Sequence, residues 1–189
     1  MSRTYLISDT HFGHKNILSF KDKEGTPLRP GFSSIAEHDD YLITQWNSVV
    51  KPEDKVYHLG DVGMCSFTRL KYIMESLNGT KVLIKGNHDQ YKLSQYAMIF
   101  KDIRAIHAMD KHQFVLTHIP LHPSCLDRWG INIHGHLHKR IVEDPIYFNV
   151  SVEQLDDYKP IDFEQIRAMF PDVWGLKQER NKNLLLDKI

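Results

Sequence analysis

The stretch Tyr5-Leu6-Ile7-Ser8-Asp9-Thr10-His11 sets an apolar run directly before a short polar cluster, an arrangement that recurs along the chain. Tyr5–Ser8 reads as a strand, short and free of glycine and proline. Asp9 and His11 are two residues apart, so on an extended strand end both side chains would project to one side and could bite one cation. Val56–Leu59 is a second strand ending at Gly60-Asp61, and Val82–Lys85 a third ending at Gly86-Asn87-His88-Asp89. Helical spacings lie between them. Ile35, Leu42, Trp46, Val49 and Val50 mark one face of a first helix, and Leu70, Ile73, Met74 and Leu77 mark a second, which Asn78-Gly79 would stop. A loop holding Gly25, Pro27, Pro30 and Gly31 precedes the first helix and is long enough to suggest a functional or mobile segment.

After a short helical stretch near Leu93–Phe100 the texture turns β-like, with runs at Ile103–Ala108, Gln113–Thr117 and Ile131–His134. Asp110-Lys111 would turn the first run into the second as a hairpin. Ile146–Val152 reads as a further strand, and Asp162 with Gln165 resembles a capping box opening a helix. The segment Val173–Ile189 is polar around a Leu184–Leu186 patch that would suit a docked helix. The pattern is α/β first and β-rich second. Its polar motifs fall just past strand ends, the edge at which open α/β sheets bind ligands.

The bulk composition narrows the function classes. At 189 residues, without repeats or a Ser/Gly-rich linker, the chain reads as one domain, 1–189. With 41% hydrophobic and 25% charged residues it can build a core and does not suit disorder. Its 24 basic and 24 acidic residues give no basic excess, which argues against a protein built to coat nucleic acid or anionic membrane. Cys65 and Cys125 lack metal-like spacing and read as reduced thiols. Nothing at the N-terminus has the form of a signal peptide, and the uncharged stretch Gln113–Leu126 holds two prolines and two histidines, so it is no membrane span. A cytoplasmic location is expected.

The chemistry rests on the conjunction of the clusters. Asp-x-His, Gly-Asp, Gly-Asn-His-Asp, His118 and Gly-His-Leu-His follow one another in that order, each after an apolar run. Alone, each is ordinary loop decoration; together they resemble the ordered signature of the calcineurin-like metallophosphoesterases. The resemblance runs from Asp9 to about Val152 and is closest to the small bacterial and bacteriophage members. These share Ser8-Asp9-Thr10-His11-Phe12-Gly13-His14-Lys15-Asn16, and the stretches Asn149-Val150-Ser151-Val152 and Tyr158-Lys159-Pro160-Ile161 also fit.

The resemblance implies an αββα sandwich with a dinuclear metal site at the C-terminal ends of the strands. It implies that Asp9, His11 and His138 hold one metal, that Asn87, His118 and His136 hold the other, and that Asp61 bridges them. His88 would act on the substrate, with Asp89 orienting its ring. Mixed imidazole and carboxylate donors suit divalent transition ions, Mn²⁺ first and Fe, Zn²⁺, Co²⁺ or Ni²⁺ otherwise, better than Ca²⁺ or Mg²⁺. Such a centre stays net positive and would attract a phosphate ester. A metal-bound hydroxide is the expected nucleophile, since metal binding can lower the pKa of water to ~7.

The expected activity is therefore hydrolysis of a small phosphate ester, with His88 as an acid for the leaving group favouring diesters over monoesters. Nucleic acid remains a less favoured substrate. A non-catalytic metal-binding scaffold for a protein partner is the alternative, and loss of a ligand or of His88 would have pointed to it. His14, Asn16 and Arg128 are candidates for substrate contact; for Arg128 a role in solvent, and for Trp129 one in core packing, is equally open, and His122 stands no higher. His58 and His134 read as buried structural histidines, and His38, His107 and His112 as surface residues.

Overall fold

A computed structural model describes residues 2–126 and 128–178. The first sheet contains β1 (Thr4–Ile7), β2 (Lys55–His58), β3 (Thr80–Ile84) and β4 (Asp102–Arg104), all parallel, with β9 (Ile161–Asp162) antiparallel on the β1 edge. The second contains β5 (His107–Met109), β6 (Phe114–Leu116), β7 (Ile131–His134) and β8 (Tyr147–Asn149), of which only the β5–β6 pair is antiparallel. A parallel bridge between Ser8 and Ser151 joins the ends of β1 and β8. Strands of both sheets feed one continuous apolar core, from Leu6 and Val56 to Ile131 and Ile133. The protein is thus a mixed α/β fold with two sheets.

Helix α1 (Ile35–Val49) starts where the Ser34 hydroxyl accepts from the Glu37 amide at 3.2 Å. Helix α2 (Phe67–Ser76) starts similarly at Ser66, which accepts from the Arg69 amide at 3.3 Å. Such caps contribute about 1 kcal/mol each. Leu42, Trp46 and the capping Val50 are buried as their spacing requires, but the same face also buries His38 and Asp39. α2 ends at Ser76, ahead of Asn78-Gly79; Asn78 is pinned through Asn47 Oδ1, and Gly79 at φ +85° turns the chain into β3.

Two expected strands divide. Ile103–Ala108 breaks at Ala105-Ile106, giving β4 to the first sheet and β5 to the second, so here the chain changes sheets. The hairpin across 110–112 forms from the second half. Ile146–Val152 stops at β8 because the Asn149 carbonyl oxygen of the side chain accepts from Ser151 N at 2.9 Å and Ser151 Oγ at 2.7 Å, turning the chain out of the sheet. A short helix α3 (Leu93–Tyr96) follows β3, and α4 (Phe163–Met169) begins where Asp162 accepts from the Glu164 amide. Residues 173–178 are helical, and the Leu184–Leu186 patch lies outside the described residues. Among the described residues no helix is long and apolar enough to cross a membrane.

Candidate metal centre

Each polar cluster sits where the chain leaves a strand: Asp9 after β1, Asp61 after β2, Asn87 after β3, His118 after β6, and His136 and His138 after β7. The side chains do not converge by strand alternation, as the two-residue spacing suggested. Asp9 (φ 59°), His11 (φ 49°), Asp61 (φ 55°), His136 (φ 69°) and His138 (φ 51°) are all in the left-handed region. Non-glycine residues reach it at a cost of order 1–3 kcal/mol, borne only where the surroundings over-determine it. Here the surroundings are backbone bonds between loops. Asp9 N donates to Gly60 O at 3.0 Å, His11 N to Asp61 O at 3.0 Å, and Gly135 N to His118 O at 2.9 Å. The loops approach so closely that a Cβ on Gly60 would lie 2.6 Å from the Gly86 Cα and 2.8 Å from His118 Nδ1. The glycine of the Gly-Asp motif is therefore a packing requirement of the site.

Two donor groups result. Asp9, His11 and His138 present ligand atoms all within 4.8 Å of one another, as do Asp61, His118 and His136. Asn87 Oδ1 joins the second group, 2.8 Å from His118 Nε2 and 3.0 Å from His136 Nδ1. Asp61 faces both: its Oδ2 lies 3.4 Å from His118 Nε2 and 3.8 Å from His11 Nε2. All seven expected ligands are brought together.

The donor chemistry fits cations. Asp9 Oδ1 and both ring nitrogens of His11 are buried without a hydrogen-bond partner, an arrangement that protein interiors avoid. His118 Nδ1 lies 2.7 Å from the Leu59 carbonyl, which fixes it as the donor nitrogen. A neutral His118 then turns its Nε2 lone pair on the Asn87 oxygen at 2.8 Å. Two acceptors face each other there unless a proton or a cation lies between them.

The charges respond accordingly. Burial raises the Asp9 pKa, against the opposing pull of His118 and His138. Burial works the same way on Asp61, but the His118 hydrogen bond and charge, with the His88 N–H, outweigh it and hold its carboxyl at about 2. Burial lowers His11 well below the imidazole range, and Arg29 adds to the effect. Burial also opposes protonation of His118 and His138, yet Asp61 raises the first and Glu153 the second.

Arg29 and Glu153 escaped the sequence reading. Arg29 is fully buried; its Nη1 donates to Thr10 O at 2.7 Å and its Nη2 to the Asp9 carbonyl, clamping the left-handed turn that carries the first ligand pair. Its Nε meets Glu153 Oε1 at 2.9 Å, and the same oxygen takes His138 Nδ1 at 2.9 Å. Burial disfavours the Glu153 carboxylate, but Arg29 and His138 hold its pKa at about 2. This is the outer partner that ligating imidazoles ordinarily have. A lone arginine in a Pro/Gly loop carries no periodic signal. His38 did carry one: it stands four and eight residues before Leu42 and Trp46 on the buried face of α1, and it contacts Arg29 at 2.9 Å.

Several expectations need correction. Asp89 does not orient the His88 ring. Its buried carboxylate accepts from Asp61 N (3.0 Å), Val62 N (3.0 Å), Gly86 N (2.8 Å) and Tyr96 Oη (3.3 Å), stapling the Asp61 loop to the Asn87 loop. His88 is exposed, its amide on Asp61 Oδ1 at 2.8 Å and its ring centroid 5.7 Å from that of His11. His38 is buried. His107 is half-buried, stacked on Tyr57 at 4.9 Å, and His112 packs edge-on against Phe163. His58 and His134 are buried as expected. His122 Nδ1 accepts from the Ser124 amide at 3.3 Å, capping a short turn, and Trp129 packs on the core. His14 and Asn16 line one surface cleft; Arg128, exposed on the loop before β7, is not among the residues lining it.

No family model matches the chain. It is 35% identical over 175 residues to the uncharacterized protein MJ1445 of Methanocaldococcus jannaschii, spanning 88% of this chain and 90% of that one. The gene 66 protein of Mycobacterium phage D29 is 27% identical over 207 residues, with 92% and 98% covered. Among solved structures, the protein of unknown function AQ665 from Aquifex aeolicus superposes with a TM-score of 0.67 at 26% identity, covering 89% of this chain and all of that one.

Proposed function

This chain belongs to the family of the archaeal protein MJ1445, and we propose that it is a metal-dependent phosphoesterase of the calcineurin-like type, built as that family's αββα sandwich. The observation that carries the reading is the pair of donor groups with Asp61 facing both. Asp9, His11 and His138 would hold one divalent transition ion, and Asn87, His118 and His136 the other, with Mn²⁺ the first candidate. The ions would supply Lewis acidity toward a phosphoryl oxygen and activation of a water.

The protein's own groups do the rest. Asp61, held ionised, keeps the two groups in register. Arg29 and Glu153 fix the Asp9 turn and the His138 ring before any ligand arrives, so little reorganisation accompanies binding. His88, exposed and edge-on to the His11 ring, would donate a proton to a departing alkoxide or hydrogen-bond a phosphoryl oxygen. A small phosphate ester is the substrate class, and a diester uses His88 best.

The test is metal content with turnover. Protein loaded with Mn²⁺ should hold about two ions per chain and hydrolyse bis(p-nitrophenyl) phosphate. Asp61→Asn should lose both the ions and the activity. Retention of one ion only, or normal turnover by Asp61→Asn, would overturn the reading.

A further inference from the structure

The loops that carry the donor groups continue into the lips of a surface cleft of about 580 Å³. One lip follows His11 and holds His14, Lys15 and Asn16; the other follows Asp61 and holds Met64. Met64 N donates to Phe12 O at 2.9 Å, so the two lips are bonded together. Ile35 of α1 and Arg69 of α2 add to the wall. The cleft reaches the centre through His14, whose ring lies 5.4 Å from that of His11 and whose Nδ1 is buried without a partner.

The lining has a definite character. Among the described residues it includes two cations, Lys15 and Arg69, and no carboxylate. Arg69 is held from beneath: the buried Asp39 takes its Nη2 at 2.6 Å and the Gly13 amide at 2.9 Å, tying guanidinium and lip to one anchor. Only one of its five N–H donors is spent on that bond, and the side chain is 46% exposed. Met64, 40% exposed, shares the lining with the cations, and the His14 ring of the same lining carries the exposed Phe20 edge-on at 5.5 Å. A pre-oriented arginine, a lysine, an exposed methionine and an imidazole ring suit a ligand that is planar and apolar at one point and anionic at another.

We propose that this cleft binds a nucleoside phosphate: the base rests against Met64 and the His14 ring, and a phosphate beyond the reacting one is held by Lys15 and Arg69. Resting on the esterase reading, the nucleoside is the leaving group. Hydrolysis breaks its bond from phosphorus to the nucleoside oxygen, forms one from phosphorus to the water oxygen, and passes a water proton to the departing oxygen. Substrates of this class carry a second phosphate: nucleoside bisphosphates, and nucleotide diesters with a further phosphate on the leaving nucleoside.

Protein carrying ¹³C-methyl methionine, with and without Zn²⁺, is titrated with adenosine 3′,5′-bisphosphate and with adenosine. The Met64 methyl should move while Met74, buried in α2, stays. The bisphosphate should bind at least about tenfold tighter than adenosine, the equivalent of one charge-assisted bond. Arg69→Gln and Lys15→Gln should each remove most of that advantage, and Arg69→Lys should restore part of it. Lys15 is exposed, so its variant remains informative if loss of the Asp39 partner unfolds Arg69→Gln. An unmoved Met64 methyl, or equal affinity for adenosine and the bisphosphate, in protein that binds metal and cleaves bis(p-nitrophenyl) phosphate overturns the cleft assignment and spares the esterase reading. Met64 shifts with the expected selectivity in protein that takes up no metal support the nucleotide site and remove the esterase reading.

Discussion

Glu153→Gln tests how far the ligand geometry depends on a residue that holds no metal itself. One oxygen of Glu153 serves both Arg29 Nε and His138 Nδ1, each at 2.9 Å, in a pair almost wholly shielded from water. Glutamine keeps the shape and one acceptor but removes the charge. Arg29 then remains buried and charged, with the Asp9 and Thr10 carbonyls, His38 and a neutral amide oxygen in place of the carboxylate. Breaking a buried ion pair from one side costs roughly 3–5 kcal/mol, and the retained acceptor sets the expectation at the lower end, about 3 kcal/mol. His138 also loses the negative partner that raises its basicity, which for an outer carboxylate lowers metal affinity about 10–100-fold. Urea unfolding of the metal-free protein gives the first figure, and chelator competition with Zn²⁺ or Mn²⁺ the second. A variant within ~0.5 kcal/mol of wild type and with unchanged affinity would refute the claim that Glu153 anchors the centre. Loss of stability without loss of affinity would confine its role to Arg29.

Asp89→Asn should destabilise by about 2–4 kcal/mol in urea unfolding, because its amide nitrogen would face backbone donors now satisfied by carboxylate oxygen; metal affinity should fall with it, and a neutral substitution would show that the two loops need no staple. His88→Ala should reduce turnover with metal content intact, since its side chain is exposed beside the donor groups; loss of metal would make it a ligand. The metal-free protein should lose stability on acidification. Burial lowers His58 to about 3 and His134 to about 4, so the unfolded chain, titrating near 6.5, binds the extra protons. Their contribution is complete above ~6.5 and falls by about 1.4 kcal/mol per pH unit for each histidine toward those values. The raised His118 and His138 act above that window, while Asp9 and Asp89, raised by burial, oppose the loss only where they take up protons. Urea midpoints between pH 7 and 4 measure the slope, and a flat profile would mean these imidazoles are not buried neutral.

The strands and helices that lead into the centre were legible because apolar periodicity is local. β1, β2, β3, β7 and the buried faces of α1 and α2 follow from it within a residue or two. Local pattern does not say which sheet a strand joins, so the break at Ala105-Ile106 was invisible: it depends on where the partner strands lie. The surface assignment of His38 failed because its polarity was weighed above its place on the Leu42–Trp46 face.

The seven candidate ligands could be named from sequence because the polar clusters, each just past an apolar run, follow the order that resembles the calcineurin-like signature. The sequence alone determined their identity and order. Tertiary structure decided how they meet, through left-handed turns held by bonds between loops and not by strand alternation. It also decided what holds them: Arg29 and Glu153, separated by 124 positions, share a bond that no local spacing encodes. Burial of a charged pair is a property of the packed molecule, and only the packed molecule could reveal it.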